Sequence, residues 1–170
     1  KNNSSSKKTS YITRGAMILL TTILIILFFC IMLLVSQIQG TARIVNYAGL
    51  VRGKTQRIIK LEDAGQPHDE MIDRVSSYIN GLRYGSDELN LVRLEDRAFQ
   101  SKMQELNSYF KELCEEIQRV REIGYENTAI IDKSEHFFQI CDEATGLAEA
   151  YSQRKATALS QLETIVFVDI

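Results

Sequence analysis

The sequence predicts an all-α protein: an up-down antiparallel four-helix bundle whose first helix continues from an N-terminal transmembrane helix. Three observations predict it. The 170 residues include one proline, Pro67, nine glycines and no tryptophan, a composition that suits long helices better than a turn-rich β fold. The run Ala16–Val35 carries no charge. Between Asp96 and Gly124, apolar residues alternate four and three apart without a miss, the pattern of helices packed side by side.

The uncharged run reads AMILLTTILIILFFCIMLLV, with hydroxyls at Thr21 and Thr22. At about 1.5 Å per residue it is about 30 Å long, the thickness of a bilayer's hydrocarbon core. A buried core helix would show a polar face, and a cleaved signal peptide has a shorter apolar stretch ending at small residues. Residues 16–37 are therefore expected to span the membrane. Lys1, Lys7, Lys8 and Arg14 precede the run, while all 22 acidic residues lie beyond residue 61. The positive flank places the tail, residues 1–15, in the cytoplasm and the bundle, residues 38–163, outside the inner (plasma) membrane. The tail begins KNNSSSKK and is expected to be disordered. Without an initiating methionine, the chain is expected to be part of something longer.

After the span the helical spacing persists, so one helix is expected from near Tyr11 to near Asp63. Ala64-Gly65-Gln66-Pro67 breaks it. Pro67 suits the first turn of a second helix, with Asp69 and Glu70 beside its N-terminal dipole, ending near Leu82. Gly81, Gly85 and Ser86 mark a longer connection. Asp96 is the expected N-cap of the third helix, whose seam is Phe99, Met103, Leu106, Phe110, Leu113, Ile117 and Val120. Gly124 ends that helix, and Asn127 is expected to cap the fourth. The fourth carries two stripes. One is Ile131, Phe138, Cys141, Thr145, Ala148, Leu159 and Leu162, interrupted by Ser134, Ser152 and Lys155. The other is Ile130, Phe137, Ala144, Tyr151, Ala158 and Ile165. So broad an apolar face touches more than one neighbour, and antiparallel neighbours follow from the connections. The breaks at residues 65–67, 85 and 124 argue against one long coiled-coil stalk. Residues 164–170 are expected to begin a second span, because a fourth helix returns to the membrane that the first one left.

Little in the chain suggests catalysis. No glycine-rich phosphate loop and no GxSxG motif is present. His68 and His136 stand without a second ligand at metal-binding spacing, and no cofactor is expected. A net charge of −2 offers no field for nucleic acid. Cys30 falls in the span. Cys114 and Cys141, counted back and forward from the turn near Gly124, are offset by about 9 Å along the helix axis, too far for a disulfide.

The first helix beyond the span has a seam reading Val45, Ala48, Arg52, Thr55, Ile59. An arginine stands where an apolar knob belongs, between Gly49 and Gly53, each of which costs about 1 kcal/mol in a helix interior relative to alanine. A buried arginine requires an anion: either a carboxylate of a neighbouring helix or a bound ligand. The stretch Asn46-Tyr47-Ala48-Gly49-Leu50-Val51-Arg52-Gly53-Lys54-Thr55-Gln56-Arg57-Ile58 resembles the P-box of nitrate/nitrite sensor kinases, N-x-A-G-x-x-R-x-x-x-x-R-[LI], at every fixed position. It also lies where that family has it, just after the first span. The same kind of sensor domain fronts some chemoreceptors and diguanylate cyclases. The resemblance implies a periplasmic four-helix bundle that forms a homodimer through its first helix and holds a small anionic ligand at the dimer interface. The anion would fall to Arg52 beside Gly49, with Asn46 and Arg57 at other fixed positions of the motif; Gly53, next to Arg52, is a further candidate ligand-binding residue. Gly53-Lys54 departs from the bulkier or neutral residues common in the family's nitrate sensors. Two other classes are a purely mechanical dimerisation stalk and a docking module for an extracytoplasmic partner.

The charge asymmetry generates a direct test of topology. A periplasm-active reporter fused after Gln161 in a bacterial host is expected to be active there. Activity of a cytoplasm-only reporter at the same junction would reverse the orientation.

Overall fold

The computed structural model describes residues 2–168. It is a chain of four helices, α1 (Asn2–Asp63), α2 (Asp69–Tyr84), α3 (Arg97–Ile123) and α4 (Ile130–Val168), with a single 3-10 turn at Tyr125–Asn127 before the last. Among the described residues there is no strand; an isolated antiparallel bridge joins Ser86 and Leu91. Backbone contacts divide the chain into two compact units, residues 1–37 and 38–170.

In the first unit the described side chains from Tyr11 to Ser36 are exposed, save for half-buried Leu27 and Leu34. α1 is long and apolar enough to cross a membrane. Thr21 and Thr22 donate their hydroxyls to the carbonyls of Met17 and Ile18, at 2.8 and 2.9 Å, so neither is left unbonded in an apolar setting. The helix begins at Asn2, where disorder was expected over KNNSSSKK. No proline interrupts these residues, and extending an existing helix fixes one residue per added hydrogen bond.

The second unit is an up-down bundle, and two groups of polar contacts made by arginines show its direction. At one end the last turn of α1, the first of α2 and the last of α3 meet. Arg121 grips buried Glu62 with two parallel bonds, Nε to Oε2 at 3.0 Å and NH2 to Oε1 at 2.6 Å, and reaches Asp69 at 2.7 Å. At the other end Arg43 of α1 donates to the carbonyl of Asn90 at 3.3 Å, and Arg154 of α4 reaches Asp96 at the start of α3 at 2.9 Å.

All seven seam residues of α3 are buried. Asp96 is its N-cap, accepting from the Phe99 amide at 2.9 Å, and Gly124, at φ 86°, stops it. Asp69 and Glu70 fall in the first turn of α2. Pro67, however, lies ahead of that helix: His68 is the residue preceding its first turn, and α2 extends to Tyr84.

The largest difference from expectation is the seam of α1. Thr41, Ile44, Ala48, Val51, Thr55, Ile58 and Glu62 are buried, themselves spaced three and four apart. Of the expected column, Ala48, Thr55 and Ile59 are buried, but Val45 is half-buried and Arg52 lies at the edge. Val51, one residue before Arg52, fills the core position. In α4 the stripes hold through Phe137, Phe138, Cys141, Ala144 and Ala148, joined by buried Ile140. Ile131 is instead 58% exposed, and Ala158 is exposed. The side chains of Leu159, Leu162 and residues 164–170, where a second span was expected to begin, lie outside the described set.

Asn127 does not cap α4. It sits in the 3-10 turn and donates back to the Ile123 carbonyl at 2.8 Å. The cap comes sideways from α3: Glu116, 1% exposed, accepts the Ala129 amide at 2.9 Å and pairs with Lys133 at 2.8 Å. The lysine bond, then the amide, hold the Glu116 carboxyl below its ordinary range. A carboxylate lowered in the folded state stabilises fully above its unfolded pKa, about 4.3, and loses that contribution as pH falls through the folded value. Glu116→Gln is therefore expected to cost about 2 kcal/mol at pH 7 in denaturation of the detergent-solubilised chain. The gap to the parent should close below pH 4; a gap of constant size would contradict the assignment.

Candidate functional site at the Arg52 edge of the first helix

Burial of the Thr41–Glu62 column fixes which side of α1 stays outside. Asn46, Gly49, Gly53 and Arg57 are exposed, and Arg52 is half-buried at the border with α4. A Cβ added to Gly49 or Gly53 would meet nothing within 4 Å. Packing within this chain therefore gives no reason for glycine at either place. Asn46 and Arg57 form no hydrogen bond or ion pair among the described residues.

Arg52 packs its guanidinium over the Phe138 ring, 5.4 Å from the centroid. Its Nε lies 2.8 Å from Asp142 Oδ1, with the two side chains 37% and 62% exposed. That contact is ionic rather than a good hydrogen bond. The N–H direction misses the oxygen, and Nε, shielded from solvent, has no hydrogen-bond partner. An open depression of about 610 Å³ lies beside it, lined by Arg52, Glu135, His136, Phe138, Asp142 and Glu143 among others. Glu143 is tied to Lys102 at 2.7 Å, and the bonds from Lys102 and then Gln139 lower its pKa. Lys102 also holds Glu105 at 2.7 Å, and those two bonds raise the lysine's own value. His136 stands edge-on to the Tyr109 ring, centroids 4.8 Å apart.

Three carboxylates thus flank the depression, and a small anion entering there would meet their charge. α1 itself carries no acidic residue before Glu62. Sequence reasoning found Arg52 but missed its partner. Asp142 follows buried Cys141 on α4, and linking it to Arg52 requires the register between α1 and α4, which neither helix states alone.

Neither a protein-family model nor a curated protein matches this chain. Among solved structures, the ligand-binding domain of the P. aeruginosa nitrate receptor McpN is similar, with a TM-score of 0.56 at 15% identity, covering 65% of this chain and 96% of that one. The chain shares that domain's fold. At this identity the likeness speaks for architecture, and the site stands on its own geometry.

Cys141 lies directly under this edge. Burial pushes its thiol up to about 12, and that of half-buried Cys114 up to about 11. Both cysteines are free. The fraction present as reactive thiolate at neutral pH is correspondingly small. Mass spectrometry of the unreduced, folded chain is expected to show both as thiols, with slow maleimide labelling at pH 7.5. An intramolecular 114–141 linkage would contradict the α3–α4 register.

Proposed function

We propose that residues 38–163 are the extracytoplasmic sensor portion of a bacterial transmembrane receptor, carried on a span at residues 16–37. In this reading two copies pair through α1 and clamp a small oxyanion of the nitrate type between their Arg52 side chains. The observation that carries the proposal is the pair of exposed glycines flanking Arg52. Each costs about 1 kcal/mol in helix propensity, and among the described residues no atom lies within 4 Å of where a Cβ would stand, which leaves room for a second backbone or a ligand. The fold shared with a ligand-binding domain and the motif Asn46–Ile58 support the same reading.

The physics of such a clamp is simple. Two guanidinium groups about 6 Å apart, at an effective dielectric of about 20, repel by about 3 kcal/mol. An anion between them gives each a charge-assisted partner and reverses the sign. The NH1 and NH2 groups of Arg52, which make no hydrogen bond among the described residues, are the donors for it. Because binding and pairing are linked, the anion tightens the dimer as much as the dimer tightens the anion. α1 also contains the apolar run, and shifts of about 1–2 Å suffice in receptors that relay signals along helices. Output would lie with a kinase, cyclase or chemoreceptor module.

The Arg52–Asp142 contact favours a second reading, in which Arg52 braces α1 against α4 and the chain is a dimerisation stalk or a docking module. Arg52→Ala separates the two. The sensor reading expects loss of anion response with the bundle still folded, and Arg52→Lys responding poorly because lysine lacks the planar fork. Calorimetry and sedimentation with nitrate, nitrite and small carboxylates provide the readout. Absence of anion binding in the parent, or unfolding of Arg52→Ala, would leave Arg52 a structural brace.

A further inference from the structure

Arg52 already has an anion beside it. We propose that Asp142 is the internal competitor of the ligand: it occupies the Arg52 guanidinium in the empty sensor, rotates into solvent when an oxyanion arrives, and so sets the concentration at which the sensor responds. The inference rests on the reading of Arg52 as an anion clamp and adds the regulation of that site.

The first support is the quality of the contact. Phe138 and Asp142 stand four residues apart on α4, neighbours on one helix face, and both meet Arg52. The buried Phe138 ring attracts the guanidinium charge from 5.4 Å, so Arg52 has a seat on α4 that does not depend on the carboxylate. Asp142 adds one oxygen at 2.8 Å from Nε, off the line of the N–H. A bracing pair looks different in this same chain. Arg121 grips buried Glu62 through two parallel bonds, at 3.0 and 2.6 Å, the forked geometry in which an arginine and a carboxylate bind most strongly. A planar oxyanion can take that fork at Arg52, whereas Asp142 does not.

The second support is the ease of release. The Asp142 side chain is 62% exposed and forms no hydrogen bond among the described residues. Turning away from Arg52 carries it into water, where its charge is solvated. The other carboxylates near by differ. Glu143 is held by Lys102 and Gln139, and Glu135 lines the depression without an ion pair among the described residues.

The third support is that competition is unavoidable. Two anions placed side by side on one cation repel each other, so Asp142 opposes the ligand even where the two engage different N–H groups. An ion pair this exposed shifts an equilibrium by up to about five-fold, weak enough to be displaced and strong enough to move a threshold. A clamp between two copies opens two such contacts for one anion, so the factors multiply, up to about 25-fold. Among the described residues this is also the one ion pair joining α1 to α4. Exchanging it for a ligand unties those helices at the site.

The test is nitrate calorimetry at fixed ionic strength on the detergent-solubilised full chain. Asp142→Asn keeps the side chain's shape and removes its charge, and is expected to bind nitrate about ten-fold tighter than the parent. Glu135→Gln makes the same change of charge in the same depression without touching Arg52, and should change binding by less than about two-fold. Arg52→Ala/Asp142→Asn should bind no nitrate, because the gain passes through Arg52. Binding that Asp142→Asn leaves unchanged overturns the competitor and leaves the clamp standing. Weaker binding in Asp142→Asn does the same and makes Asp142 a residue that positions Arg52. Equal tightening in Asp142→Asn and Glu135→Gln also overturns it, since the effect would then belong to the general field of the depression. No nitrate binding by either the parent or Asp142→Asn removes the clamp, and the competitor with it.

Discussion

Alternating three- and four-residue spacing from Thr41 to Glu62 sets the rotation of α1 about its own axis, and the functional geometry follows from that rotation. With Ile44, Ala48, Val51 and Ile58 turned into the core, Gly49 and Gly53 are turned out. Arg52 is left at the border, where its guanidinium lies over the Phe138 ring and its Nε reaches Asp142. A shift of the column by one residue would carry Arg52 into the core and Val51 out of it. Buried Thr55 meets its own need by donating to the Val51 carbonyl at 2.8 Å, so the column contains polar residues without an unmade bond there.

Two buried carboxylates secure the ends of this arrangement. Glu62 closes the column and is clasped by Arg121, which ties the end of α1 to the end of α3. The same interactions raise the already high pKa of Arg121 further, Glu62 contributing first and Asp69 second. Glu116 does for the start of α4 what a capping side chain of the helix itself ordinarily does. Buried charge of this kind is costly to break once formed, so both carboxylates fix the helix ends, and with them the register at Arg52.

Most of the fold was legible in the sequence because its signals are periodic and local. The α3 seam, its Asp96 cap and its Gly124 stop each depend on residues within a turn or two. The α1 seam was misplaced by one column because Val45, Ala48, Arg52, Thr55 and Ile59 satisfy the same spacing as the true column, and adjacent columns of a helix share Ala48 and Thr55. Which column is buried depends on what the other helices present. The same holds for Asn127, a good local cap displaced by Glu116 from across the bundle, and for Ile131, whose apolar side chain has no neighbour to cover it. The site was half legible for a related reason. Arg52 and its glycines are contiguous, whereas Asp142 is distant in sequence and joins them through packing.

The exposed glycines are where the competing accounts of this chain part most cleanly. In a single bundle a Cβ added at Gly49 or Gly53 meets no described atom within 4 Å, and replacing the two exposed glycines gains helix propensity, about 2 kcal/mol for the two positions. If α1 pairs closely around an anion, the same change blocks the approach. The deciding measurement is nitrate calorimetry with sedimentation on the full-length Gly49→Leu/Gly53→Leu variant beside the parent. The sensor account predicts a variant that melts higher than the parent yet has lost both dimer and anion binding. A variant that pairs and binds nitrate as the parent does would contradict it.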